Sequence, residues 1–259
     1  MADVLVFGDS HTAALRRGQL AIETDGQWPD AVRLTVQPLG GGHLATEPFF
    51  ADRGSHAEIT LPEYRRQFAR LPRDEDAPGT VFGVSAPLHP VRLWRHPGWQ
   101  SRAPADMVPA DMAPEGAAPV SSGMIRRLAL ADQEPMLALL GLLRRLGRRV
   151  FAIEAPYPFR HHPALRRTPA AVVMRVDRLY RETIRAELDR LGVAVVGVPE
   201  RCRDAEGFTL DGFGQVGDPH HGNAAYGAIM MADVLDHLGH RLPSPLPLPA
   251  PHAPGHVDP

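Results

Sequence analysis

The chain has 259 residues, a net charge of -2, 28 arginines with no lysine, and a single cysteine. Such balanced charge offers no general polyanion-binding surface, so no nucleic-acid partner is expected. One cysteine excludes an internal disulfide framework, and no stretch approaches the ~20 consecutive apolar residues of a membrane span.

Met1-Ala2-Asp3 leads straight into an apolar run without the basic and apolar regions of a signal peptide, so a cytoplasmic protein is expected. That run, Val4-Leu5-Val6-Phe7, reads as a short buried strand. It stops at Gly8-Asp9-Ser10, and a helix is predicted from Thr12 to about Glu23. Ser10 therefore sits where a strand ends and a helix begins. In open α/β sheets ligands collect at that end, and the helix N-terminus offers free N–H groups. Val32-Arg33-Leu34-Thr35-Val36 alternates apolar and polar residues as a second strand and runs into Gly40-Gly41-Gly42. Three glycines there imply unusual backbone angles or a close approach.

Residues 43–60 read as irregular, and Pro62 to Leu71 reads as a helix with Tyr64, Phe68 and Leu71 on one face. Thr80 to Ser85 is the third predicted strand. Residues 86–122 read as a long loop, a lid or substrate wall carrying Trp94 and Trp99 as stacking surfaces for a sugar or acyl group. His89 and His96 in that loop lack a third ligand at metal spacing, so no metal or other cofactor is expected.

An amphipathic helix is predicted from about Asp132, with Pro135 in its first turn and a leucine stripe for the core. Val150 to Glu154 is the fourth strand, Ala170 to Leu191 a long helix, and Val193 to Val198 the fifth strand. Cys202 reads as structural. The segment Gly217-Asp218-Pro219-His220-His221-Gly222-Asn223 precedes a last helix that runs from Ala224 to about His240. Leu242 to Pro259 is a proline-rich tail expected to be disordered, leaving residues 1–241 as one domain. The alternation of strands and helices favours one parallel sheet covered on both faces.

Asp218 and His221 are three apart on a tight segment, so the carboxylate can orient the imidazole. With Ser10 they fill the roles of base-orienting acid, base and nucleophile. Gly8-Asp9-Ser10 after the first strand, with Asp218, His221 and Asn223 near the other end, resembles the SGNH, or GDSL-type, hydrolase superfamily over roughly residues 3–240. The resemblance implies a flavodoxin-like, three-layer α/β/α sandwich with a mostly parallel five-stranded sheet. It also implies a serine esterase or acyltransferase acting through Ser10, His221 and Asp218. The family's oxyanion donors map to the backbone N–H groups of Ser10 and of Gly42, with Gly41 next. The chain departs from the family after the third strand. Its usual Gly-x-Asn-Asp, whose Asn is another oxyanion donor, is replaced by Ser85-Ala86-Pro87-Leu88-His89, where Ser85 or His89 would substitute. Asp9, Trp94 and Trp99 are expected to touch a small-molecule or carbohydrate ester, with an O-acetyl group preferred.

Two other classes share parts of this pattern. Asp9-x-His11 after a strand can also begin a metallophosphoesterase site, but the downstream Gly-Asp-x-x-Asp, Gly-Asn-His and Gly-His-x-His segments are absent. A non-catalytic relative would keep the fold and bind a ligand only.

Overall fold

The computed structural model describes residues 2–107 and 115–242. The predicted tail from residue 243 onward, and residues 108–114 of the predicted lid, lie outside the described residues.

The elements run β1 (Ala2–Gly8), α1 (Thr12–Thr24), β2 (Val32–Pro38), β3 (Phe50–Asp52), β4 (Ala57–Ile59), α2 (Pro62–Arg65) and β5 (Arg70–Leu71). They continue with β6 (Val81–Ser85), α3 (Val91–Trp94), β7 (Arg102–Pro104), β8 (Ala118–Val120) and α4 (Ser122–Arg145). The last are β9 (Arg149–Ile153), α5 (Ala170–Arg190), β10 (Ala194–Val196) and α6 (Ala224–His237). The central sheet has five parallel strands in the order β10-β9-β6-β1-β2. These are the five strands expected from the sequence. Counted along the chain, the central strands lie second, first, third, fourth, fifth. The order reverses at β1, and the crevice at the carboxyl end of such a switch point is where α/β sheets bind ligands.

Successive side chains of a strand point to opposite faces. Val4 and Val6 of β1 accordingly join Val81, Phe151, Leu15 and Met230 on the face covered by α1 and α6. Leu5 and Phe7 join Phe82, Val84, Leu140 and Ile184 on the face covered by α4 and α5. Both faces are dry, which is why these strands read as continuous apolar runs rather than alternating ones.

At the crossing of α1 and α6 the two backbones meet directly. A Cβ placed on Gly18 would lie 2.0 Å from the carbonyl carbon of Gly227, and one on Gly227 would lie 1.8 Å from the carbonyl oxygen of Ala14. No other residue type permits this approach.

Three segments differ from the expectation. The predicted helix 62–71 stops at Arg65, and Leu71 pairs with Ala57 in a three-stranded antiparallel excursion, β3-β4-β5. Residues 43–60, read as irregular, supply β3 and β4 of that excursion. Phe68 keeps its inward place by packing 5.9 Å from the Phe7 ring, so burial is satisfied without a helix. Helix α4 starts ten residues before Asp132, because the Ser121 hydroxyl caps it by accepting the Met124 N–H and because Ile125 and Ala129 are buried. Pro135 thus lies inside the helix.

Gly227→Ala and Gly18→Ala will each lower stability by about 1–3 kcal/mol or more, as overpacking does. Urea unfolding measures this, and a variant as stable as wild type would show that the crossing is not tight.

Candidate active site

The turn after β1 is built by backbone constraints. Gly8 has φ 153°, and a Cβ there would lie 2.2 Å from the Ser85 carbonyl oxygen, so glycine is required where β1 passes β6. The next N–H, of Asp9, donates to that same Ser85 carbonyl at 3.0 Å. Asp9 then folds the turn, with its Oδ1 accepting the His11 N–H at 3.0 Å and its carbonyl accepting the Thr12 hydroxyl at 2.6 Å. Ser10 is left exposed at the top of the turn, ahead of α1.

The second segment is held against α1 and by the start of α6. The Asn223 side chain accepts the Tyr226 N–H at 3.0 Å as the α6 cap and donates to the Gly212 carbonyl at 2.8 Å. Arg17 of α1 donates to the Gly222 carbonyl at 3.0 Å. Asp218 accepts the N–H groups of His220 and His221, both at 3.0 Å, on Oδ1. Its Oδ2 lies 2.6 Å from His221 Nδ1, and His221 Nε2 lies 2.6 Å from Ser10 Oγ. Partial burial pushes the Asp218 carboxyl upward, but these N–H donors outweigh it and hold it down at about 2. An ionised Asp218 fixes the His221 proton on Nδ1 and leaves Nε2 to accept from the Ser10 hydroxyl.

Two backbone donors stand open nearby. Among the described residues, neither the Ser10 N–H nor the Gly42 N–H has a hydrogen-bond partner. A Cβ on Gly42 would lie 3.2 Å from Asp9 Cβ, so Gly42 passes close over the turn that carries Ser10. Gly41 is turned elsewhere: its carbonyl accepts the Tyr64 hydroxyl at 2.8 Å.

Histidines surround the turn. His89 Nδ1 lies 2.6 Å from Asp9 Oδ2, and His89 Nε2 lies 2.9 Å from His11 Nε2. The His11 ring is 4.9 Å from that of His221, and His220 is 4.2 Å from His221. Burial pushes His11 and His89 well below the ordinary imidazole range and His162 to about 4, so these rings are neutral at pH 7. A neutral His89 that donates Nδ1–H to Asp9 accepts on Nε2 from His11. Sequence reasoning found no partner for His89 because Asp9 and His11 lie about eighty positions earlier. In the sequence, Arg160-His161-His162 lies just beyond the fourth strand, where it could touch substrate though such pairs are more often solvated, and His220 stands inside the Asp218 segment without a role of its own.

Three expectations for substrate contact need correcting. Trp94 and Trp99 are buried in a satellite core with Val91, Ile125, Val173 and Val176. Trp99 Nε1 donates to the Leu93 carbonyl at 2.8 Å, and Trp94 reaches only a narrow crevice beside His89 and His220. The described part of 86–122 is therefore not a loose lid but a small packed layer against α5, formed by α3, β7 and β8. Asp9 is 4% exposed and spends its carboxylate on His11 and His89 rather than on the cleft. Ser85 ends β6 buried opposite Gly8, so among the residues after β6 it is His89 that reaches the Asp9 turn.

A buried ionic cluster supports one wall. Arg181 of α5 meets Asp177 at 2.8 Å and Glu154, at the end of β9, at 3.0 Å. It also donates to the carbonyls of Ala155 and Pro156 at 3.0 and 2.9 Å. One guanidinium thus satisfies a strand end and the turn beyond it. Arg181→Met leaves the buried Asp177 carboxylate without its ion-pair partner, while Glu154 keeps Arg185, and will destabilise the fold by about 3–5 kcal/mol in urea unfolding. A loss below about 1 kcal/mol would show that the cluster is dispensable. The Asp218 carboxyl contributes stability that is complete above its unfolded pKa of about 4 and is lost as pH falls towards about 2. Wild type will therefore lose more stability between pH 5 and pH 3 than Asp218→Asn, and parallel losses would rule this out.

No family model matches the chain, and no curated protein matches its sequence. Solved structures match its fold. An acetyl xylan esterase, AlAXEase, superposes with a TM-score of 0.50 over 91% of this chain and 99% of that one, at 14% identity. A protein from Desulfitobacterium hafniense DCB-2 described as lipolytic and of the G-D-S-L family gives a TM-score of 0.50 over 90% and 98%, at 9% identity. The chain shares the α/β fold of these two proteins.

Proposed function

We propose that this chain is a serine ester hydrolase that removes a small acyl group, with an O-acetyl ester on a carbohydrate as the preferred substrate class. The observation that carries the reading is the line Ser10 Oγ, His221 Nε2, His221 Nδ1, Asp218 Oδ2, with 2.6 Å at each hydrogen bond. Ser10 Oγ attacks the ester carbonyl carbon while His221 Nε2 takes its proton. The tetrahedral oxyanion is held by the N–H groups of Ser10 and Gly42, which have no other partner among the described residues. Collapse breaks the bond to the alcohol, which leaves with the proton from His221. Water, deprotonated by His221, then releases the acid from acyl-Ser10. Asp218 holds the imidazole tautomer throughout. No cofactor enters this scheme. That one fold neighbour is an acetyl xylan esterase supports the acetyl preference.

His89, which stands where the SGNH pattern has its side-chain donor, has both ring nitrogens engaged, so we infer that no free side-chain donor replaces it among the described residues. Loss of one such donor costs about 10²–10³ in kcat. Activated acetyl esters are accordingly expected to turn over faster than unactivated ones.

Fluorophosphonate labelling with mass-spectrometric site mapping tests the reading. Wild type will carry the label on Ser10, Ser10→Ala will carry none, and His221→Ala will label far more slowly. Asp218→Asn will lower kcat on an acetyl ester by about 10⁴. A folded wild type that takes no label, or takes it elsewhere, refutes the proposal.

A further inference from the structure

Beside Ser10 lies a donor set that the ester chemistry does not use. Asp9 and His11 are 4% and 3% exposed, and His89 closes the group. We propose that His11 and His89 bind one divalent transition-metal ion through their Nε2 atoms, with Asp9 holding the His89 ring from its far side.

Three observations carry this. The two Nε2 atoms face each other at 2.9 Å. Tetrahedral zinc, with Zn–N distances of about 2.0–2.1 Å, sets two imidazole nitrogens about 3.3 Å apart. A small opening of the pair therefore admits an ion. His11 Nδ1 has no partner among the described residues, so no other hydrogen bond of the His11 ring resists that opening.

Asp9 stands where a second sphere belongs. His89 Nδ1 lies 2.6 Å from Asp9 Oδ2, on the side of the ring away from Nε2. That is the carboxylate–histidine–metal arrangement, in which the carboxylate fixes the tautomer and raises ligand basicity.

The Asp9 carboxylate is buried, yet the nearby Arg92 is claimed by Asp132 through two hydrogen bonds of 3.0 Å. Buried charges are ordinarily paired or bound to metal. A dication at His89 compensates Asp9 through the ring. Two imidazoles are borderline ligands, which suits zinc, cobalt, nickel or copper rather than magnesium or calcium. In the other carboxylate–histidine group, Asp218, His220 and His221, the His221 Nε2 faces the Ser10 hydroxyl rather than a second imidazole.

The inference does not rest on the ester chemistry and is tested without it. Metal-free Ser10→Ala protein is dialysed against Co²⁺ or Zn²⁺, the bound metal is counted by mass spectrometry, and the visible spectrum of bound Co²⁺ is recorded. One ion per chain is expected, bound at least tenfold more weakly when His11→Gln or His89→Gln is added and equally well when His221→Gln is added. No binding, binding indifferent to the first two substitutions, or loss with His221→Gln alone overturns the site. If either glutamine variant is unfolded by circular dichroism, X-ray absorption of the zinc-loaded Ser10→Ala protein decides. Two imidazoles in the first shell support the site, and fewer refute it. Failure of fluorophosphonate labelling would leave every one of these readings unchanged.

Discussion

The arrangement around Ser10 depends on one backbone contact, the crossing of α1 and α6 at Gly18 and Gly227. Ser10 leads into the first helix, and His221 leads into the second. With no side chains between them, the two backbones touch, and the ends of the helices are brought within reach of each other. Arg17, one residue before Gly18, adds a hydrogen bond to Gly222, one residue after His221. The distance between hydroxyl and imidazole is thus set several residues away from either, by sterics rather than by their own hydrogen bond.

The electrostatic character of the site is equally particular. Several histidines crowd a small volume around two carboxylates, Asp9 and Asp218, each in contact with an imidazole. Burial keeps His11, His89 and His162 uncharged at pH 7, so the surroundings of Ser10 are rich in polar rings but poor in net charge.

Much of the fold was legible in the sequence because its strands are buried on both faces and its long helices carry unbroken apolar stripes. Val4 to Phe7 and Val150 to Ile153 could hardly be read otherwise. The two end segments were legible for a different reason: glycine, aspartate, serine and histidine at fixed offsets demand special turns. What escaped was decided by tertiary contact. Tyr64, Phe68 and Leu71 have helical spacing, yet the β3-β4-β5 excursion buries them as well as a helix would. Trp94 and Trp99 sit in a proline-rich stretch that resembles an open loop, and only the presence of α5 makes a core for them. His89 lacked a visible partner because Asp9 and His11 lie about eighty positions earlier and meet it only through the pairing of β1 with β6. Arg181 looked like any arginine on a helix rich in them.

The hydrogen bond between Ser10 and His221 spans 211 positions of the chain. During synthesis the imidazole emerges 211 residues after the serine. At about 5–20 residues per second the hydroxyl spends on the order of ten to forty seconds without its partner. The layout therefore makes this hydrogen bond a late event: the hydroxyl meets its imidazole only after the chain between them has been made and closed.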